Sequence, residues 1–160
     1  MGGDSDLVGS FPGPRVCRRG PSRSLLAVLT AVLIMGVAPA DAATTAEQAV
    51  HVMINDARAQ VGVRLLPLSD RLSRIAHRHS KQMASHGTLF HSSCLSCSIG
   101  RKWRRLAENV GYGPSRESVQ AELMASPPHR DNILYPKFRR VGVGVVRRGG
   151  LVWVTQIFYA

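Results

Sequence analysis

The sequence predicts an α+β protein, a three-layer α/β/α sandwich around a mainly antiparallel sheet. Valines alternate with glycines over residues 141–145, and apolar side chains occupy both alternating sets of positions over residues 151–159. A strand that is apolar on both faces is buried on both faces, so helices are expected to cover the sheet from two sides. The turn signal at residues 147–150 joins the two runs into a hairpin, which makes this part of the sheet antiparallel.

Three amphipathic stretches predict the helices. The first covers residues 45–60, after a capping-box pattern that begins at Thr44. The second begins at Ser69 or Asp70 and ends at Gly87, since glycine suits a helix C-terminus. The third covers residues 116–125 and is stopped by the two prolines that follow. A short strand is expected at residues 106–111, and the segment before it, from residue 88, has no regular pattern.

Residues 1–42 have the organisation of a signal peptide. Four arginines precede an apolar run at residues 25–37, and small residues follow at 38–42. Cleavage is expected after Ala42, with Ala40 as the alternative, which leaves one domain over residues 43–160. The apolar run is shorter than the roughly 20 residues of a membrane-spanning helix. An uncleaved anchor is the alternative interpretation, and Arg18-Arg19 leaves the export route open.

The chain is strongly basic. Its formal net charge is +11, and because four arginines and three aspartates fall within residues 1–42, residues 43–160 carry +10. Such a charge favours anionic surfaces, which outside a cell are lipid headgroups, wall polymers and acidic glycans. Export and the lack of a nucleic-acid-binding motif argue against nucleic acid. The run Lys102-Trp103-Arg104-Arg105 either binds an anionic partner or forms a solvated edge with Trp103 tucked inward.

Two cysteines, Cys94 and Cys97, lie outside the predicted signal peptide. Export places them in an oxidising compartment, so a local disulfide is expected. A redox-active C-x-x-C motif would normally accompany a βαβ pattern, which is not visible here.

Several ionisable groups stand at the ends of apolar elements, among them His91, Glu108 and His129. Two imidazoles and a carboxylate can form a zinc site or a general acid–base pair, but their distance in sequence leaves open whether they meet. His77 and His79 point to different helix faces and are predicted to have no site role. His51 and His86 are predicted to lie at the surface.

The run Ser126–Leu134, S-P-P-H-R-D-N-I-L, resembles the S-P-x-H-R-x-N-I-L signature of the CAP superfamily of cysteine-rich secretory, antigen 5 and pathogenesis-related group 1 proteins. Other segments resemble that family in the expected order. They are I-N-D-A-R at 54–58, L-S-D-R-L-S-R-I-A at 68–76, F-H-S at 90–92, A-E-N-V at 107–110 and V-G-V-G at 141–144. The resemblance covers about residues 47–160 and points to a bacterial single-domain (SCP) member.

The resemblance implies an α/β/α sandwich with a cleft of two histidines and two acidic residues that can hold a divalent metal, often zinc. The histidines correspond to His91 and His129, and the first acid to Glu108. Ser126 replaces the second acid, and Glu122 could reach the cleft only from the preceding helical turn. The supporting positions are Asn109, Arg130 and Asn132, the last two expected to fix a turn after His129. The alternative is that Glu108 and Asn109 only satisfy backbone groups at a strand end.

Three functions are compatible with these features. The first is a secreted, non-enzymatic binding module for lipid or envelope ligands at an anionic wall or membrane surface. The second is a metal-dependent, protease-like hydrolase that uses the same cleft, with Ser92 or Ser126 as the nucleophile. The third is an envelope protein that acts through protein contacts.

Overall fold

The structure is a computed structural model and describes residues 44–100 and 102–160. The predicted signal peptide, residues 1–42, lies outside these residues. In chain order the elements are α1 (Thr45–Gln60), α2 (Asp70–His86), α3 (Leu95–Ile99), β1 (Leu106–Gly113), α4 (Arg116–Ala125), α5 (Pro127–Leu134), β2 (Arg140–Arg148) and β3 (Leu151–Tyr159). Over the described ranges, no helix has both the length and the apolar character needed to cross a membrane.

The three strands form an antiparallel sheet in the order β1-β3-β2. The β2–β3 hairpin closes at Gly149 and Gly150, whose φ angles are 60° and 76°. Positive φ at both central residues is the requirement of a type I′ turn. The turn is therefore two residues long, shorter than the four-residue signal suggested, because Arg147 and Arg148 still pair with Val152 and Leu151.

Helices cover both faces of the sheet, as the apolar pattern of the last strand predicts. Val152, Val154 and Phe158 of β3 pack with α1, α4 and α5 in the larger core. The alternate residues Trp153 and Ile157 pack against α2 on the other face. The predicted α/β/α sandwich is confirmed.

Two glycines of β2 allow the backbone of α2 to lie directly on the strand. A Cβ atom at Gly142 would be 2.3 Å from the backbone carbon of Leu72, and one at Gly144 would be 2.2 Å from that of Ala76. Val141 and Val143, which alternate with these glycines, point to the opposite face and are fully buried. In the V-G-V-G pattern, the glycines thus allow the close contact with α2 on one face of the sheet, and the valines pack in the core on the other face.

The first two helices have the predicted bounds. Thr44 and Glu47 form the capping box of α1, and Ser69 is the N-cap of α2. Gly87 ends α2 in the left-handed conformation, with φ 65°.

Three local predictions are wrong. The segment predicted to be irregular contains the short helix α3, and β1 continues two residues further, to Gly113. Pro127 ends α4 but also begins α5, because the first turn of a helix does not need the missing proline N–H. Arg130 and Asn132 therefore lie on a helix and do not fix a turn.

Candidate functional site

The candidate site lies at β1, an edge strand of the sheet. Successive side chains of a strand point to opposite faces. Glu108 is opposite Ile157 and faces the α2 side, whereas Asn109 is opposite Gln156 and faces the α4 and α5 side. The two adjacent residues therefore organise the two halves of the site.

Glu108 organises the first half. Its side chain is 6% exposed and its oxygens accept three hydrogen bonds. His91 donates from Nδ1 at 3.0 Å, and Ser92 donates from its backbone N–H at 2.9 Å and from its hydroxyl at 2.5 Å. These donors compensate the burial of a charged group. Because these donors occupy its oxygens, the carboxylate orients His91 and Ser92 and is hardly exposed to solvent.

His79 lies behind this carboxylate. Its side chain is buried, its Nε2 donates to the carbonyl of Phe90 at 2.8 Å, and the same atom is 4.0 Å from Oε1 of Glu108. The second distance is too long for a hydrogen bond. His79 thus adjoins the site and lines the groove beside His91, a placement that the sequence did not predict. The signal was its position on the inner face of α2, in line with Ile75 and Met83.

Asn109 organises the second half through a buried chain of amides. It donates to the carbonyl of His129 at 3.0 Å and to Gln156 at 3.2 Å, and it accepts from Asn132 at 2.9 Å. Gln156 in turn donates to Gln120 of α4 at 2.7 Å. This network ties the first turn of α5, and hence His129, to β1. It accounts for the supporting positions Asn109 and Asn132.

His129 is half-buried, and its Nδ1 is 2.8 Å from the hydroxyl of Ser126. Burial lowers the pKa of His129 below the ordinary value of 6.5, and the charge of His91 lowers it further. The lowered pKa keeps His129 mainly neutral at pH 7, the form that can bind a metal or accept a proton.

The two imidazoles have a similar arrangement. Each uses Nδ1 for a hydrogen bond within the site, and within residues 44–100 and 102–160 neither Nε2 has a hydrogen-bond partner. Metal-ligating histidines commonly use one nitrogen in this way and offer the other. However, the same ranges contain no group of three or more His, Cys, Asp or Glu side chains placed to hold a metal. Two imidazoles alone do not form the four-ligand set of a closed zinc site.

A groove of about 370 Å³ lies beside His91. Ile75, Phe90 and the Cys94–Cys97 disulfide contribute apolar lining, and Arg78 stands at its rim. The predicted disulfide is confirmed. His129 does not line this groove, which extends from the α2 half of the site.

The remaining predicted residues are placed outside these contacts. Glu122 is exposed on α4, and its backbone carbonyl accepts from the N–H of Ser126 at 3.0 Å, but its side chain makes no described contact with the site. Arg130 is exposed on α5. Trp103 is 40% exposed and not tucked inward. His86 is exposed as predicted, but His51 is half-buried, with Nε2 2.6 Å from the carbonyl of Leu66.

Fold and site together define an α/β/α domain with a histidine–carboxylate pair at an edge strand. The family model of the CAP, or cysteine-rich secretory protein, family matches residues 52–158. The chain belongs to this family. It is 30% identical over 118 residues to the uncharacterized protein YkwD of Bacillus subtilis, an alignment that covers 69% of this chain and 46% of that protein. The chain thus spans about half the length of this relative.

Solved structures are similar in fold. An extracellular protein of Bacillus anthracis that contains an SCP domain has a TM-score of 0.62 and 23% identity, with 71% of this chain and 39% of that chain covered. NaASP2, crystallised with Zn²⁺, has a TM-score of 0.60 and 13% identity, with coverage of 77% and 83%. At these identities the similarity shows the fold alone.

Proposed function

We propose that the chain is a secreted, non-enzymatic binding module and that its groove beside His91 takes an amphiphilic ligand, a lipid or a lipid-like component of a cell envelope. The observation that carries this proposal is the groove itself. Its volume of about 370 Å³ lies within the range of small-molecule sites. Its lining is mixed: Ile75, Phe90 and the disulfide are apolar, and most of the other lining side chains are polar. The polar side includes the guanidinium of Arg78, so the groove suits an amphiphile with an anionic headgroup.

Charge and disulfide support an extracellular setting. A net charge of +10 over residues 43–160 attracts the protein to anionic surfaces. The exposed Cys94–Cys97 disulfide suits an oxidising compartment. The similar Bacillus anthracis protein is described as extracellular.

The state of Glu108 favours binding over acid–base chemistry. A general acid or base must present its proton or lone pair to a substrate. The carboxylate of Glu108 already accepts from Ser92 twice and from His91 once, and its side chain is 6% exposed. The hydroxyl of Ser92 is likewise bound to this carboxylate, so it is poorly available as a nucleophile.

We propose in addition that His91 and His129 hold a divalent metal such as zinc weakly, through their Nε2 atoms. The hydrogen bond from Nδ1 of His91 to Glu108 would orient that imidazole toward the ion. The similar fold of NaASP2 was crystallised with Zn²⁺. With two protein ligands, the affinity is expected to be low compared with that of sites that have three or four.

The experiment is native mass spectrometry of the protein purified from its own host. A lipid-mass adduct is expected, and Phe90→Ala should remove it, because Phe90 lines the groove. Tyr112→Ala is the matched control, since Tyr112 is another exposed aromatic side chain, on β1 and outside the groove. Protein that carries no lipid, or an adduct that survives Phe90→Ala, would overturn the lipid proposal.

Zinc is tested in the same instrument by adding the ion to the purified protein. A zinc adduct should be weaker in His91→Ala and in His129→Ala, and unchanged in His86→Ala, which removes an exposed histidine elsewhere. Equal binding by all variants would refute the two-histidine site.

One observation favours a hydrolase as the second candidate function. The hydroxyl of Ser126 lies 2.8 Å from Nδ1 of His129, within reach for transfer of its proton to a neutral imidazole. A serine-directed fluorophosphonate probe would label Ser126 if the hydroxyl is activated, and His129→Gln would abolish that labelling. Absence of labelling in the wild type would count against this candidate.

A further inference from the structure

A second surface gathers basic residues that are far apart in the sequence. We define the basic track as Arg64, Lys102, Arg104, Arg105, Lys137 and Arg139. They line two grooves of about 390 Å³ and 420 Å³, which share Arg104, Arg139 and Ala160. The two grooves therefore form one continuous depression. It extends well beyond the basic run that the sequence reveals.

Among residues 44–100 and 102–160, the cations of the track have no acidic side chain as a counterpart. All six are exposed, and no Asp or Glu side chain lines either groove. None of the six forms an ion pair with an acidic side chain in the described ranges. Even with a terminal carboxylate counted at Ala160, the track keeps a strong positive charge. Like charges held together repel, and an anionic ligand relieves that repulsion.

The backbone holds the track in place. The N–H groups of Arg104 and Arg105 donate to the oxygen of Ala160 at 2.5 Å and 3.2 Å, and the N–H of Arg139 donates to Tyr159 at 2.8 Å. The guanidinium of Arg105 lies 4.3 Å from the ring centroid of Tyr135. These contacts keep the cations together before any ligand binds, which lowers the ordering cost of binding.

The shape of the track indicates a linear ligand. A shallow depression lined by Trp103 and Cys97 shares Trp103 with the second groove and Cys97 with the groove beside His91. A chain molecule can follow such a path, whereas a flat bilayer would meet the raised surface around it. Among the described residues that line these grooves, Trp103 is the one exposed aromatic side chain, since Tyr135 and Tyr159 are half-buried. Single-stranded nucleic acid would need several such stacking platforms.

We propose that the basic track binds a linear polyol-phosphate polymer, a chain of alcohol units joined by phosphodiesters, as a wall-type polyanion. Each repeat supplies one negative charge, and successive charges contact successive cations of the track. This site differs from the lipid groove of the proposed function, and the two are tested by different residues. Binding is expected to weaken steeply with salt, because each neutralised phosphate releases counterions.

The test uses the full chain and synthetic poly(glycerol phosphate), with affinity measured by fluorescence anisotropy across a salt series. The double variant Lys137→Gln/Arg139→Gln should bind about 10-fold more weakly, and its log–log salt slope should fall by about 0.7 for each lost contact. The control Arg147→Gln/Arg148→Gln changes the net charge equally at the exposed end of β2, outside both grooves, and should change affinity less than about 2-fold.

Three results would overturn the proposal. The first is an equal loss in the two double variants, which would mean that net charge alone drives binding. The second is no measurable binding by the wild type. The third is tighter binding to anionic phospholipid vesicles or to single-stranded DNA of equal charge. Phe90→Ala should leave polymer binding intact, so failure of the lipid proposal and failure of this one are distinguishable.

Discussion

At the scale of single residues, Glu108 is the group on which the α2 half of the site depends. Its carboxylate fixes both His91 and Ser92, and it is almost fully removed from water. A buried acceptor that loses its hydrogen-bond donor still carries its desolvation cost. A substitution of Glu108 should therefore lower the free energy of unfolding by more than the loss of one ordinary hydrogen bond would.

Glu108→Gln should lower the free energy of unfolding by about 1–3 kcal/mol. The amide keeps the shape of the side chain but replaces one acceptor oxygen with a donor, which then faces a group that also donates. Urea denaturation measures the change. The matched control is Glu117→Gln, on an exposed carboxylate paired with Arg116, which should leave stability nearly unchanged. Equal effects at the two positions would show that Glu108 has no special structural role.

His129 makes stability depend on pH. Burial, and then the charge of His91, lowers its pKa in the folded state below 6.5, so the unfolded chain binds the proton more readily. The contribution of His129 to stability should therefore be largest above pH 6.5. It should fall as the pH drops below that value, and the loss should be complete below the pKa of the folded state.

The measurement is an NMR titration of the imidazole protons. His129 should titrate below 6.5 in the wild type, and its pKa should rise in His91→Gln because the second cause of the shift is removed. His86→Gln, which removes an exposed histidine from the end of α2, is the control and should not move it. An unchanged titration in His91→Gln would mean that the two imidazoles are not electrostatically coupled.

At the scale of elements, the backbone of α2 lies in direct contact with β2. A methyl group at Gly144 would overlap the backbone of Ala76 and His77 at 2.2 Å, and backbone cannot move aside as a side chain can. Gly144→Ala should therefore destabilise the protein by at least about 1–3 kcal/mol, the usual cost of overpacking.

Thermal unfolding would measure this effect. The control is Gly113→Ala, where the new methyl group would be 3.0 Å from the hydroxyl of Ser118 and 3.2 Å from a methyl of Val119. Both are side-chain atoms that can adjust, so the loss should be clearly smaller. A tolerated Gly144→Ala would contradict direct backbone contact between α2 and β2.

The disulfide belongs to the element α3. Cys94 is the N-cap of this five-residue helix, and its sulfur accepts the N–H of Cys97. Because the bond closes a very short loop, its effect on global stability should be small. Its removal should instead loosen the segment that carries His91 and Ser92.

Reduction, or the double variant Cys94→Ser/Cys97→Ser, should speed amide hydrogen exchange over residues 91–99. Exchange in α1, on the other side of the sheet, should stay the same and serves as the internal control. Thiol alkylation before and after reduction verifies the oxidation state. A uniform increase in exchange over the whole chain would mean that the disulfide supports the entire fold.

At the scale of the whole molecule, net charge opposes folding. Residues 43–160 carry +10, and a compact chain brings these charges together. Moderate salt screens this repulsion over about 8–10 Å. The melting temperature should therefore rise between 10 and 150 mM NaCl, by a modest amount of about a few degrees.

Differential scanning calorimetry checks this expectation. Lys137→Gln/Arg139→Gln removes cations from the crowded basic track, so its melting temperature should depend less on salt than that of Arg147→Gln/Arg148→Gln. The same dependence in both variants would indicate that the charges of the track do not repel each other more than those elsewhere.

The layers of the fold and most element boundaries follow from local patterns in the sequence. Apolar periodicity, the capping box at Thr44 and the stop at Gly87 are local signals, since they act through the backbone of neighbouring residues. The sandwich followed from one strand that is apolar on both faces. The CAP signature brought His91, Glu108 and His129 into one hypothesis, although the residues themselves left open whether they meet.

The packing of distant elements determines which residues share the site and the basic track. Helical spacing places His79 on the inner face of α2, but only the packing of α2 on the sheet brings its Nε2 to 4.0 Å from Oε1 of Glu108. The cations Arg64, Arg104 and Arg139 meet because three separate segments come together at one end of the sheet, where β1 and β2 begin and β3 ends. Such placements depend on the packing of distant elements. Burial and contacts with neighbouring strands determine the position of each side chain there, and local conformational preference does not.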